Sequence, residues 1–223
     1  MHIAPGFLSP PVWGTMVAVS GAAVAGSLVV ARRHLDERRV PLMGVMGAFV
    51  FAAEMVNFPI LPGTSGHLGG GFLLGILLGA PLGIISMVCI LAVQSLVYQD
   101  GGLEALGANI FTMGVLPCLL GAAARRLWLR PQPGAVAYGL SLAGGILAVI
   151  AGATVVILLL WWSESLPQTV SLIQAIGVMD SIHLAIGVVE GVVSVAVIRF
   201  VLAARREAVI GVEDRISSEE TIA

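Results

Sequence analysis

Long apolar runs, each followed by a short polar or glycine- and proline-rich segment, make up most of the chain. Several of the runs reach the roughly 20 residues that a helix needs to cross a bilayer. Arginine clusters separate some of them, the first at residues 32–39. This pattern predicts seven membrane-spanning helices, at about residues 11–31 and 40–58, a pair within 67–98, then 104–124, 135–162 and 178–203, with a short interfacial helix at about 168–176.

The stretch 67–98 decides the number of helices. It is longer than one spanning helix requires, and Gly-Ala-Pro-Leu-Gly at residues 79–83 interrupts it. Counted as one helix, it would place the arginines of 32–39 and of 125–130 on opposite sides of the membrane, whereas two helices place both clusters in the cytoplasm. We therefore predict two helices that meet near Pro81, the first short, glycine-rich and buried in the bundle. The amino terminus is then extracytoplasmic and the carboxyl terminus cytoplasmic.

Composition also predicts an all-α membrane protein, since 58% of the residues are hydrophobic, 11% are charged and the mean hydropathy is +1.01. We predict one seven-helix domain over residues 1–206, which includes a distinct segment at 1–10, and a polar cytoplasmic tail at 207–223. The net charge of −2 and the absence of a basic face argue against nucleic-acid binding. Cys89 and Cys118 lie in apolar runs without CxxC spacing, which favours a packing role.

No lysine occurs in the chain. This absence excludes a retinal or pyridoxal Schiff base and a phosphate-binding loop of the GxxxxGK type. Any ATP that drives the work of this chain must therefore be hydrolysed by another chain, and we expect no enzymatic activity from this one.

The first two residues, Met1 and His2, form a chelating pattern. The α-amine, the His2 backbone nitrogen and the His2 ring Nδ1 can close two fused chelate rings, and His67, predicted to lie on the same side of the membrane, can supply a fourth nitrogen. Tetragonal nitrogen sites favour Ni(II) or Cu(II) over Zn(II), Mg(II) or Ca(II). Spacing alone leaves open, and favours, the alternative that both histidines are ordinary residues.

The chelate requires that Met1 remain the first residue. No arginine precedes residue 32, which argues against a cleaved signal peptide, and the bulky His2 is expected to protect Met1 from removal. We expect metal affinity to rise with pH, because the amine and the amide must both lose protons. One residue added before Met1 should remove the amine from the site.

A second polar group lies in the last predicted helix, where Asp180, His183, Gly187 and Glu190 share one face. Ionisable residues at membrane depth are costly and indicate a functional site. They could orient or receive a metal in transit, or form a proton relay, or simply pack against neighbouring helices with their charges paired or neutralised. Glu54, Gln94 and Asn109 are interpreted as hydrogen-bond partners between helices.

The loop around His67 offers further candidates. Ser65 precedes His67 and Asn57 lies before the same loop, so both are candidates for supporting the ligands or contacting a metal in transit. Glycines at 69–71 either let helix backbones approach closely or let the His67 loop fold onto the amino terminus.

Four segments together resemble one family, the substrate-binding membrane component (CbiM/NikM type) of the energy-coupling-factor cobalt and nickel importers. The resemblance covers about residues 1–200 and departs at Pro5, where many members have an acidic residue. The segments are Met1-His2-Ile3 with Gly6-Phe7-Leu8, Asn57-Phe58-Pro59-Ile60, Gly63-Thr64-Ser65-Gly66-His67, and His183-x-x-Ile186-Gly187-x-x-Glu190.

This resemblance implies a seven-helix fold with the amino-terminal segment inserted into the bundle from outside, in a bacterial cytoplasmic membrane. It implies as ligands the Met1 amine, the His2 backbone nitrogen and ring, and the His67 ring. It further implies a transmembrane coupling subunit, cytoplasmic ATPase subunits and a small accessory membrane subunit as partners. The loop sequence resembles the nickel branch, so Ni²⁺ is the expected cargo, with Co²⁺ as the alternative and no resident cofactor.

Two other classes of function remain open. An autonomous ion-coupled carrier would use Asp180, His183 and Glu190 as a proton relay. A seven-helix sensor or intramembrane metalloenzyme is the other class, although the chain has neither a lysine for retinal nor an HExxH motif for zinc.

Overall fold

The computed structural model describes residues 1–35, 39–129 and 133–209. Over these residues the chain forms seven helices, of which five, α1 and α4 to α7, are long and apolar enough to cross a membrane. Seven helices are found as predicted, but α2 and α3 are shorter than the five that could cross a membrane, so the seven membrane crossings and the sides on which the termini lie stay predictions. The helices are α1 (Pro10–His34), α2 (Arg39–Glu54), α3 (Gly71–Leu78), α4 (Ala80–Tyr98), α5 (Leu106–Trp128), α6 (Ala135–Trp162) and α7 (Leu172–Val209).

Helices α3 and α4 are separated as predicted. Gly79 lies between them with φ 79° and ψ 164°, a conformation that glycine adopts without steric cost, and Pro81 follows in the first turn of α4. Every residue of α3 is buried. The short, glycine-rich helix is therefore the centre of the bundle, as its sequence predicted.

Close backbone contacts hold α3 against α5. A Cβ at Gly75 would overlap the Cys118 carbonyl, and a Cβ at Gly121 would overlap the Phe72 carbonyl oxygen. Small residues at such positions let helices approach closely, which is how helices associate in a membrane. The other extensive pairing joins α6 to α7 along their length.

Arg125 of α5 is buried, although its position in an arginine cluster suggested a cytoplasmic loop. Its guanidinium donates to the carbonyl oxygens of Ile76 at 2.6 Å and Leu77 at 2.7 Å, and also to that of Val209. Because the last carbonyls of a helix have no partner within the helix, Arg125 satisfies the ends of α3 and α7 together.

Three predicted boundaries are corrected. The second helix ends at Glu54 rather than near 58, because Pro59 disfavours helix in the preceding residues. No separate interfacial helix spans 168–176, because α7 begins at Leu172. The side chain of Ser171, just before the helix, accepts from the Gln174 N–H at 3.3 Å, and the side chain of Gln174, in the first turn, accepts from the Ser171 N–H at 3.0 Å. This Ser-x-x-Gln capping box marks the start. At the other end α7 continues to Val209, and residues 210–223 of the predicted tail lie outside the described residues.

A small hairpin lies beside the ends of the helices. Strands β1 (Phe58–Pro59) and β2 (Ser65–Gly66) pair antiparallel, and Ile3 forms a bridge with Thr64 in the turn between them. We call the end of the molecule that carries this hairpin and Met1 the Met1 end of the bundle.

Candidate metal centre

The amino-terminal segment is buried and held by its backbone. The Ala4 N–H donates to the Gly63 carbonyl at 2.9 Å, and the Gly102 N–H donates to the Ile3 carbonyl at 3.2 Å. Asn109 of α5 accepts from the Ile3 N–H at 2.9 Å. Met1 is only 1% exposed and Ile3 is fully buried. These bonds explain how a chain end, usually mobile, occupies one position inside the bundle.

The Met1 amine contacts the Nε2 atom of His67, so the predicted meeting of these two residues is confirmed. The Nδ1 atom of the same ring lies 2.7 Å from the Leu68 carbonyl oxygen, to which it donates. That bond leaves the lone pair of Nε2 facing the amine. A hydrogen bond of this kind to the other ring nitrogen is what orients a histidine toward a metal.

His2 completes the group and is also buried. Its ring stacks on His67 with the centroids 4.7 Å apart and the planes inclined by 30°. Neither of its ring nitrogens has a hydrogen-bond partner among the described residues, and Nδ1 lies 3.4 Å from Oδ1 of Asp100. A buried polar atom without a partner costs about 1–3 kcal/mol, so a ligand that bound either ring nitrogen would remove this cost.

Burial keeps these nitrogens neutral. It lowers the pKa of the Met1 amine to about 5, although the negative charges of Glu54, Asp100 and Glu190 act in the opposite direction. Burial, reinforced by the amine, lowers the pKa of His2 to about 3, and the nearby Gln94 side chain acts in the opposite direction. Because the His2 ring is neutral near pH 7, its contact with Asp100 is not an ion pair.

The pKa of His67 is also held well below its usual range. Burial is the main cause, and the charges of the Met1 amine, His2 and His183 add to it. Three neutral nitrogen donors therefore meet in one buried place, within the field of several carboxylates. Such a set can bind a divalent cation without first losing protons from the amine or the rings, and only the His2 amide must still lose its proton.

The amine is essential to this interpretation. Within the described residues no three His, Cys, Asp or Glu side chains cluster as a metal site. The Met1 amine would supply a donor that the side chains do not provide. The His2 backbone nitrogen would be the fourth donor of the predicted tetragonal set. The role of Met1, His2 and His67 as ligands stays a prediction.

The polar residues on one face of α7 form hydrogen bonds with different partners. Glu190, which is 3% exposed, accepts from the backbone N–H of Gly69 at 2.6 Å and of Gly70 at 3.1 Å, directly after His67. His183 is fully buried, with Nδ1 2.8 Å from the Met179 carbonyl and Nε2 without a partner among the described residues. Asp180 instead accepts from Thr154 of α6. The residues of the suggested relay therefore bond to three different elements.

Asn57 and Ser65 lie outside the buried group. Asn57 is exposed, and its Nδ2 donates to Oδ2 of Asp100 at 2.6 Å. Ser65 lines an open cavity of about 510 Å³, which also touches His2 and Asp100. Its Oγ has no hydrogen-bond partner in the described parts of the chain.

The interpretation of the buried amides and acids from sequence is partly confirmed. Gln94 of α4 donates to Glu54 of α2 at 3.1 Å, which is a bond between helices as predicted. Asn109, however, bonds the backbone of Ile3 rather than another helix, and Asp100 was not predicted to lie near the site. For Asn109 the sequence showed only a single amide in an apolar run, which indicates that the side chain has a polar partner but not which residue that partner is.

The chain is similar to known proteins of metal transport. Residues 2–208 match the CbiM family model, described as cobalt uptake substrate-specific transmembrane region. A protein of Haloquadratum walsbyi provisionally named a metal transport protein is 35% identical over 209 residues, covering 94% of this chain and 93% of that one. One of Archaeoglobus fulgidus, provisionally named the fused nickel transport protein NikMN, is 33% identical over 209 residues, covering 94% and 68%.

A solved structure shows the same fold. The crystal structure of a truncated transition metal transporter superposes with a TM-score of 0.80 at 30% identity, covering 92% of this chain and 99% of that one. Together with the apolar helices, this match identifies a multi-pass membrane protein. The chain belongs to the CbiM family of metal transport components.

Proposed function

We propose that this chain is the substrate-binding membrane component of an ATP-driven energy-coupling-factor importer, and that its cargo is Ni²⁺. The observation that carries the proposal is the burial of the Met1 amine against Nε2 of His67, beside a His2 ring whose nitrogens have no partner among the described residues. The donors would be the Met1 amine, the His2 amide nitrogen and Nδ1, and His67 Nε2. The protein would lie in a bacterial cytoplasmic membrane.

Nickel is preferred to cobalt on chemical grounds. Four nitrogen donors, one of them an amide, favour the square-planar geometry that Ni(II) adopts readily. The similarity to a relative named for nickel transport supports the same choice, whereas the match to a family described by cobalt uptake makes Co²⁺ the alternative cargo. X-ray absorption of the nickel-loaded protein tests this preference: four nitrogens in a plane support the nickel site, whereas a six-coordinate or tetrahedral centre contradicts it and reopens the choice of metal.

The binding experiment uses the amino terminus itself. Two residues, Gly-Ser, are added before Met1, which turns the amine into an amide and places His2 fourth in the chain. Two are needed because one residue alone would create a new terminal chelate of amine, two amides and imidazole. Met1 is 1% exposed and leaves no space for an extension. Nickel affinity, measured by isothermal titration in detergent, should fall by about 100-fold or more, beyond the loss expected for a supporting residue.

The matched control carries the same two residues after Ala223 and should bind nickel normally. If the variant extended before Met1 kept the affinity of the unmodified chain, the amino-terminal site would be wrong.

The importer model also requires partners: a transmembrane coupling subunit, cytoplasmic ATPase subunits and a small accessory membrane subunit. The absence of lysine, and so of a GxxxxGK loop, supports the need for a separate ATPase. Uptake of radioactive nickel into cells with and without those subunits tests this part. We expect uptake only with them. Uptake by this chain alone would instead support an autonomous carrier.

A further inference from the structure

The open cavity at the Met1 end of the bundle leads to the buried nitrogens. It has a volume of about 510 Å³, and His2 forms part of its wall. Among the described residues that line it, Asp100 is the one carboxylate, and none is an arginine. A cleft whose only charge is negative attracts cations and raises their local concentration.

Asp100 is held firmly at this wall. It lies in a turn between two residues with positive φ, Gln99 at 55° and Gly101 at 79°. Its N–H donates to the Gln94 carbonyl at 3.1 Å, and the Ser95 hydroxyl donates to the Gly101 carbonyl at 3.0 Å. The turn therefore fixes the carboxylate before any ligand arrives.

The two oxygens of this carboxylate have different surroundings. Oδ2 accepts from Asn57 at 2.6 Å, whereas Oδ1 lies 3.4 Å from Nδ1 of His2. The Asp100 side chain is 18% exposed and the His2 side chain 3% exposed. One oxygen is thus anchored, and the other lies between the cavity and a buried ring nitrogen that lacks a partner among the described residues.

We propose that Asp100 and this cavity form a capture site for a hydrated divalent cation, which passes from there to the His2 ring. The inference rests on the proposed function, because it supplies the route by which the cargo reaches the amino-terminal nitrogens. The hydrated ion is held by charge at Oδ1 and keeps its water. Nδ1 of His2, within contact distance of the same oxygen, then replaces a water molecule as the first permanent donor.

The test measures the rate of nickel association with the purified full chain, by stopped-flow absorbance. D100N removes the charge and keeps a carbonyl that can accept from Asn57. At low ionic strength we expect a second-order association rate about tenfold lower than in the unmodified protein. The dissociation rate should not change. In about 1 M salt, where charges are screened within roughly 3 Å, the two proteins should bind at the same rate.

Two further variants complete the design. D100E keeps the negative charge and should bind nickel at the association rate of the unmodified protein. E164Q removes an exposed carboxylate between α6 and α7, outside the cavity, and should leave the rate unchanged. Association of D100N at the unmodified rate in low salt would overturn the capture site, and so would an equal effect of E164Q. If the unmodified protein bound no nickel, the proposed function itself would fail.

Discussion

Glu190 offers a demanding test of how the site is built, because it touches none of the proposed ligands. Its two carboxylate oxygens accept from the N–H groups of Gly69 and Gly70, at 2.6 and 3.1 Å, where the chain passes from His67 into α3. In E190A both donors lose their partner. Each such loss costs about 1–3 kcal/mol, so we expect destabilisation of about 2–6 kcal/mol. E190Q retains one acceptor oxygen and should lose roughly half as much.

The consequence for the metal follows from the position of His67. Its ring is oriented by the loop that Glu190 holds, and losing support of this kind typically weakens metal binding by about 10- to 100-fold. Nickel titration should therefore show that loss in E190A and a smaller one in E190Q. Thermal denaturation without metal should show a melting temperature lower by about 2–4 °C for each kcal/mol.

D180N is the matched control, since Asp180 lies on the same helix but bonds Thr154 instead of the His67 loop. It should keep nickel affinity close to that of the unmodified protein. An E190A protein that melted and bound nickel like the unmodified chain would refute the role given to Glu190.

Three other changes test the site separately. G101A places a Cβ 2.9 Å from Cδ2 of His2 and 2.8 Å from Nδ2 of Asn109, at a φ of 79°, so it should displace the ring and weaken nickel binding by about tenfold or more, as measured by titration. N109A leaves the Ile3 N–H without its acceptor, at a cost of about 1–3 kcal/mol, and should speed hydrogen exchange of the amino-terminal segment, which is read by mass spectrometry. The third concerns pH: burial lowers the pKa of the Met1 amine from 8.0 to about 5, so between these values the unfolded chain binds a proton that the folded chain does not. Stability of the metal-free protein should therefore rise from pH 5 to pH 8 in denaturant titrations, and the variant extended before Met1, which has no amine there, should show less of this rise.

The number and order of helices could be predicted because both follow from local signals. Glycine and proline near residue 81 break an apolar run, and the arginine clusters decide how many crossings lie between them. The burial of α3 also followed, since a short helix rich in glycine suits the middle of a bundle. Arg125 shows what the charge rule leaves out: the rule treats this residue as a marker of the cytoplasmic side, yet the side chain is buried against carbonyl oxygens of α3.

The residues of the candidate site could be selected from the sequence, but only some of their contacts could be predicted, and their role as ligands stays a prediction. The arginine count placed Met1 and His67 on one side of the membrane, but no local pattern could show that they touch across 66 positions of sequence. Periodicity placed His183 and Glu190 on one face of a helix, yet it carries no information on which element meets each residue. Asn109 was assigned to a neighbouring helix because a polar residue in an apolar run does not reveal that a chain terminus will be its partner.

Two of the helices near the amino-terminal segment, α4 and α5, each contain a π turn. In α4 the π turn covers Gln94–Tyr98, and in α5 it covers Ile110–Val115, directly after Asn109. A π turn corresponds to one extra residue in an α-helix, and such insertions often occur at functional sites. The wider turn absorbs that residue locally, so its loss would restore a regular helix and remove the displaced backbone beside the amino-terminal segment. Over evolution, insertions and deletions in these two π turns should therefore be tolerated far less than substitutions there. The rest of the outer surface of α4 and α5 needs only to be apolar.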